Sequence, residues 1–320
     1  RWPLLVSGLL ASAVHAASGG EPAVAPAGEG DEGTREAPEV PGVYRPTTSG
    51  PFVTFTAPLT PHGKLVSQPI LSVASARGTF DARGRHHALA EGEGQVNSAL
   101  SLFTEYGVAE RFAAGVQLTL VHNRASLASD AAASTGLSDT LVFARATVLD
   151  ETPGGPPEMT VLAQVKLPTG RAESQEEGLL DTDVRGTGST DLTVGVDLTR
   201  GLRPFLVHLD LLYTHALPTR VDGVATRYGG TFSWSASGEW PFRGGTLALM
   251  LETSGRHQGL RREEGRRVED SRVEEVLLGG GVEFIFSEDL QLLVGYQRTL
   301  WGRNVTALDA VVLTLVPVVF

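Results

Sequence analysis

Cysteine is absent from all 320 residues, so an exported chain of this kind must be held by hydrogen bonds and packing, without disulfides. Long apolar runs are missing as well. No stretch approaches the ~18 to 20 consecutive apolar residues that a membrane-spanning helix requires. Positive charge is in short supply, with 26 Lys and Arg against 37 Asp and Glu and a net charge of −11. With no basic stripe interleaved with aromatics, this argues against nucleic acid, whose binding depends on neutralising phosphates. Catalytic signatures are sparse too. There is no Gly-x-Ser-x-Gly elbow and no His-Asp-Ser run, and Ser233, Ser235, Ser237, His208 and His257 come with nothing in the sequence that sets a nucleophile beside its base. His86 and His87 are adjacent, so in a strand they point to opposite faces and make a poor chelate. No cofactor is implied.

What the chain has instead is alternation. Strand side chains point to opposite faces with period two. Leu192, Val194, Val196 and Leu198 lie on one face, and Asp191, Thr193, Gly195, Asp197 and Thr199 on the other. Val276, Leu278, Val282 and Phe284 lie opposite Glu275, Gly279, Gly281 and Glu283, and Thr314, Val316, Val318 and Phe320 share a face at the C-terminal end. The pattern predicts twelve strands, over 65–80, 95–107, 112–125, 137–150, 158–169, 189–200, 204–217, 226–240, 244–258, 274–286, 290–300 and 305–320.

A soluble sandwich also alternates, so the connections decide. Those at 108–111, 151–157, 201–203, 241–243 and 287–289 are short, whereas those at 81–94, 126–136, 170–188, 218–225 and 259–273 are mostly longer, polar and charged; the last, 301–304, is short. Tight turns at one end and long loops at the other are the mark of an outer-membrane barrel with periplasmic turns and extracellular loops. The fold class expected is therefore all-β, an antiparallel up-and-down transmembrane barrel of about 12 strands, spanning 61–320. In lipid a sheet can have no free edge, which closure provides. The aromatics Phe205, Tyr213, Phe232, Trp234, Trp240, Phe284, Phe286, Tyr296 and Phe320 fall on the expected lipid face, several near strand ends where interfacial girdles sit.

The ends have their own readings. Arg1 precedes an apolar run from Pro3 to Val14 that closes on Val14-His15-Ala16, which suits a secretory signal over 1–16. Residues 17–60 are expected to form a flexible periplasmic lead, the tract 21–50 being rich in Pro, Gly, Ala and acidic residues; Tyr44 to Leu59 could hide one more strand or a short plug. Phe320, a terminal aromatic with apolar residues at alternate positions before it, looks like the signal that barrel assembly machinery reads.

In the middle of the chain, Gly136-Leu137-Ser138-Asp139-Thr140, Lys166-Leu167-Pro168-Thr169-Gly170 and Gly186-Thr187-Gly188-Ser189-Thr190-Asp191-Leu192 with Gly195 resemble the outer-membrane proteins grouped as the MetA-pathway of phenol degradation family. The resemblance is clear over about residues 136–213. It implies an outer-membrane barrel associated with uptake of aromatic or other hydrophobic compounds. Read physically, Pro168 and Gly170 end a strand and Gly186 and Gly188 let the chain re-enter, a structural role.

The inward positions collect ionisable groups: Arg145, Lys166, Asp191, Asp197, His208, Asp210, Glu239, Glu252, Arg256, Glu275 and Glu283. A wet lumen tolerates these and lipid does not. They are candidate lumen-lining residues whose acidic sum favours cations in an open channel, or else a network bracing the wall. Leu162, Leu212 and Leu277 interrupt the polar wall as a constriction or a plug contact. The mixed-charge stretch 261–270 is a solvated loop or a set of arginines for lipopolysaccharide phosphates. The function expected is a porin-like channel for passive uptake of small, hydrophobic or aromatic compounds, in contact with outer-membrane lipid and lipopolysaccharide. The alternatives are a barrel hydrolase and a plugged structural or adhesive barrel.

Overall fold

A computed structural model describes residues 42–46, 48, 50–128, 130–287 and 290–319. The expected signal over 1–16, the lead as far as residue 41 and the terminal Phe320 lie outside the described residues. Among the described residues, twelve long strands form one antiparallel ring. They are β1 (Leu65–Phe80), β2 (Gly94–Ala109), β3 (Phe112–Leu127), β4 (Thr140–Leu149), β5 (Glu158–Leu167), β6 (Asp191–Leu202), β7 (Phe205–Ala216), β8 (Thr231–Phe242), β9 (Leu247–Gln258), β10 (Val273–Ser287), β11 (Leu290–Arg303) and β12 (Val305–Val319). Each pairs with its neighbours in chain order, and β12 closes on β1 from Leu65↔Val319 to Phe80↔Val305. Twelve paired edges leave none open.

The alternation read from the sequence is the inside–outside alternation of this wall. Along β1 the burial pattern inverts at every residue, with Ser72 at 1% exposure between Leu71 at 45% and Val73 at 44%. Leu102, Leu120, Val194, Leu211, Leu251, Leu278, Val311 and Leu313 are likewise exposed around the ring. A soluble protein does not display apolar side chains on every strand of its outer surface, and lipid is the solvent that accepts them. Phe205, Tyr213, Phe232, Trp240, Phe284, Phe286 and Tyr296 are all on this exposed face. Trp234 is half-buried against Gly255, its cross-strand partner, where a Cβ would come within 2.8 Å of the indole.

In β12 the register has a definite sense. Thr314 and Val316 are buried, and the lipid-facing set is Val311, Leu313 and Leu315. The face that the sequence reading shared between Thr314 and Phe320 is thus the inner one as far as Val316.

At one end of the barrel the links are short turns, and at the other five of the six are long. Those longer loops carry structure of their own. His86–Ala88 folds back on the end of β1, Asp130–Leu137 on β3, and Thr219–Val221, Val224–Arg227, Arg262–Glu263 and Arg266–Arg267 form a separate four-stranded sheet above the wall. The expected strand 226–240 is therefore two pieces. It is broken at Gly229 and Gly230, where Gly230 passes so close to the Tyr213 hydroxyl that a Cβ would lie 2.5 Å from it. Leu137 belongs to the folded-back hairpin, and β4 begins at Thr140.

Candidate functional site

The lumen is not an empty tube. Residues 51–60 run across it outside any helix or strand, bending at 52–54 and at 57, before the chain turns into β1, and Phe52, Thr54, Phe55, Thr56, Ala57 and Thr60 are all buried. Of the two alternatives for 44–59, no strand forms at 50–59, and residues 51–59 lie inside the barrel. A segment outside helix and sheet has unsatisfied backbone groups, each of which needs a partner when buried. The wall supplies them in sequence around the ring. Glu252 on β9 accepts the N–H groups of Phe52, Val53 and Thr54, and Asp210 on β7 accepts that of Phe55. Thr199 Oγ1 on β6 accepts the N–H of Ala57 at 2.8 Å, and Thr160 on β5 donates to the Ala57 carbonyl at 2.6 Å. Arg145 on β4 donates to the Thr56 carbonyl, and Glu105 on β2 accepts both the N–H and the hydroxyl of Thr60 at 3.0 and 2.7 Å.

Apolar packing complements these bonds. Phe52 and Phe55 join Ile70, Phe103, Phe143, Leu162, Met250, Leu293 and Val312 in one buried cluster, with Leu212 packed against it. The Phe52 ring lies on a glycine pair: Gly281 and Gly295 are register partners on β10 and β11, and a Cβ on them would lie 2.1 and 1.8 Å from Phe52 Cζ. Phe103 stacks on Phe143 with centroids 4.9 Å apart, and the Arg145 guanidinium sits 5.6 Å from the Phe55 ring centroid.

Arg145, 1% exposed, is the hub of the charged set. It pairs with Glu105 at 3.0 Å and Asp197 at 3.5 Å. His208 lies between Thr199 Oγ1 and Glu239 Oε1, each at 2.9 Å, and Ser235 donates to Asp210 at 2.9 Å. Arg256 pairs with Glu275 at 3.0 Å. Glu239, Glu252 and Glu283 are fully buried on the inner face. The candidate lumen residues thus all point inward; Arg145, Asp210 and Glu252 bind segment 51–60, Asp197 pairs with Arg145, and His208 with Glu239. A buried acid–base set of this kind is costly to disturb, because an unpaired buried charge keeps its desolvation penalty.

Lys166 and Asp191 belong to a second centre, near the long-loop end. Lys166 Nζ lies 2.7 Å from Asp191 and 3.5 Å from Asp139. Asp139 also accepts the N–H of Gly170 at 3.0 Å and of Thr187 at 3.1 Å. The three sequence motifs over 136–140, 166–170 and 186–192 therefore meet around one carboxylate, and their glycines have a steric reason: a Cβ on Gly186 would lie 2.4 Å from Asp139 Oδ1. The loop between them dips into the barrel. Asn123 on β3 donates to the Thr182 carbonyl at 2.9 Å, and Ser138 to the Arg185 carbonyl at 2.7 Å. Within the loop Asp183 suffers desolvation, yet hydrogen bonds from Ser174, Gln175 N–H and Arg171 outweigh it and hold the carboxyl below its ordinary 3.8.

Segment 51–60 was the part of this site least visible in the sequence. The signals were the glycines at 281 and 295 on facing strands and the apolar residues Phe52 and Phe55 at the end of a polar tract. His86 and His87 have separate partners, His87 with Asp81 at 3.1 Å and His86 edge-on to Phe80.

No curated protein matches the sequence. Among solved structures, the COG4313 outer membrane channel from Pseudomonas putida F1 superposes with a TM-score of 0.65 at 14% identity, covering 81% of this chain and 96% of that one. The TodX monoaromatic hydrocarbon channel, in a deletion mutant, gives a TM-score of 0.46 at 10% identity over 81% of this chain and 91% of that one. The first shows the shared barrel fold. Residues 77–315, three quarters of the sequence, match the family described as "Putative MetA-pathway of phenol degradation", and the chain belongs to that family.

Proposed function

We propose that this protein is an outer-membrane channel for the passive uptake of small hydrophobic compounds, with residues 51–60 as the element that restricts its lumen. The observation that carries the reading is the composition of the crossing. A closed barrel with a lipid-compatible exterior encloses, at that level, an apolar cluster of Phe52, Phe55, Phe103, Phe143, Leu162 and Leu293, ringed by carboxylates that grip backbone rather than stand free. A water-filled pore for ions would present open charge; an apolar solute is better accommodated by an aromatic and aliphatic lining with few polar groups. The nine inward residues Arg145, Lys166, Asp191, Asp197, His208, Asp210, Glu239, Glu252 and Glu283 then act chiefly by holding the restricting segments in place, and the acidic sum matters for ions only when the segment is displaced.

Proteoliposomes test this directly. The full chain is expected to pass a monoaromatic solute faster than a sugar of similar size and to show low ionic conductance. Glu252→Gln weakens three backbone contacts at about 1.5–3 kcal/mol for a charged hydrogen-bonding group, and is expected to raise cation conductance while the barrel stays folded by heat-dependent gel mobility. Equal sugar and aromatic fluxes in the unaltered protein would instead make it a general porin, and no flux of either would remove the channel reading.

A further inference from the structure

Arg227, Arg262 and Arg267 stand side by side on the small sheet above the wall. Arg227 is the register partner of Arg262, and Arg262 of Arg267, so their side chains share one face across three strands. Like charges directly opposite each other on a sheet repel, and all three are exposed. Two of the acids in the same stretch are engaged elsewhere. Glu263, on the opposite face, pairs with Arg261 at 2.9 Å, and Glu264 accepts the Ala225 N–H at 2.8 Å. Among the described residues none of the three arginines has a carboxylate within ion-pair distance.

The orientation of the row follows from its neighbours. Arg227 Nη2 lies 3.3 Å from Nε2 of His215, which shares the outward face of β7 with the exposed Leu211 and Tyr213. The next residue, Tyr228, turns the other way and donates its hydroxyl to the Thr187 carbonyl. The arginines therefore stand on the outer side of the barrel, just above the apolar belt and its Tyr213. In a membrane that is the depth of lipid headgroups. A guanidinium is the group best matched to phosphate, since its planar fork donates two parallel hydrogen bonds, and an anion between neighbouring guanidiniums relieves the repulsion that the strand register builds in.

We propose that Arg227, Arg262 and Arg267 form a binding site for the phosphate groups of outer-leaflet lipid, of the kind carried by the lipid A part of lipopolysaccharide. The inference rests on the outer-membrane reading above but not on the solute that passes the lumen. It explains why a chain of net charge −11 sets three unpaired arginines in register at the one level where anionic headgroups would meet it.

The test titrates the full chain in detergent with diphosphorylated lipid A, with the same lipid stripped of phosphate, and with inorganic phosphate, counting bound lipid by native mass spectrometry. The phosphorylated lipid is expected to bind about tenfold more tightly than the stripped one. The combined variant Arg227→Gln, Arg262→Gln, Arg267→Gln is expected to lose that preference, while the corresponding Lys variant keeps part of it. Equal binding of the two lipids to the unaltered protein overturns the site without need of any variant, and so does an undiminished preference in the Gln variant. Displacement of lipid A by inorganic phosphate at equal concentration overturns the assignment to lipid in favour of a soluble anion. Solute flux measured on the same preparations keeps the two proposals apart, because loss of lipid preference with unchanged flux, the result expected, leaves the channel reading standing.

Discussion

Two segments enter the barrel from opposite ends and are held by different chemistry. Residues 51–60 come from the short-turn end with apolar side chains and are gripped by the wall, through Glu252, Asp210, Thr199, Arg145 and Glu105. The loop over 168–190 comes from the long-loop end with mostly polar side chains and is held by Ser138 and Asp139 of the neighbouring link and by its own Asp183, with one wall contact from Asn123. In the first case the wall is the template, in the second two adjacent loops are. The first should therefore fail when the wall changes, and the second when the loop changes while the wall stays intact.

The largest expected effect is at Arg145. Replacing it with Met leaves Glu105 and Asp197 buried and unpaired and removes the donor to Thr56, a loss of about 3–5 kcal/mol by analogy with other broken buried pairs. Urea titration of the protein folded into vesicles should show it, and an unchanged midpoint would mean that water or rearrangement rescues the two carboxylates. Gly295→Val comes next. Its side chain takes the place of the Phe52 ring, an overpacking worth about 1–3 kcal/mol. Protease nicking in 42–60 should rise while the barrel keeps its gel mobility; protection equal to the unaltered protein would show that Phe52 is not what anchors the segment.

Asp139→Asn separates the second segment from the first. It removes the charge that Lys166 and two backbone N–H groups share, at about 1–2 kcal/mol for weakened charged hydrogen bonds. Hydrogen exchange should quicken across 168–190 and stay unchanged at 51–60, whereas quickening in both would show that the two closures are coupled.

The smallest effect is of pH. The Asp183 carboxyl titrates below its ordinary 3.8 in the folded loop. Its contribution is thus complete above that value and is lost as pH falls through the lower folded one. Protection against exchange at 174–183, corrected for the intrinsic pH dependence of amide exchange, should hold steady between neutral pH and about 4 and fall only below it; loss of protection already near neutrality would assign the loop's order to another group.

The strands could be read because each carries its own evidence. Leu192 to Thr199 or Val276 to Phe284 alternates locally, and burial against lipid or lumen is a property of one residue at a time. For the same reason the small strands were missed, since Arg262–Glu263 and Arg266–Arg267 are too short to display a period. The inward residues were legible by parity, but their partners were not: Arg145 meets Asp197 and Thr56 only because strands far apart in sequence close into a ring.

By itself, the sequence determined the barrel: alternation fixed the two faces, the sorting of loop lengths fixed the two ends, and the lack of cysteine and long apolar runs excluded other ways of being stable in a cell envelope. Tertiary structure alone decided what fills that barrel and what its outer rim can bind. The seat of Phe52 on Gly281 and Gly295, the meeting of three motifs on Asp139 and the row of Arg227, Arg262 and Arg267 are all made by register between distant segments, and register is set by ring closure and packing rather than by any local run of residues.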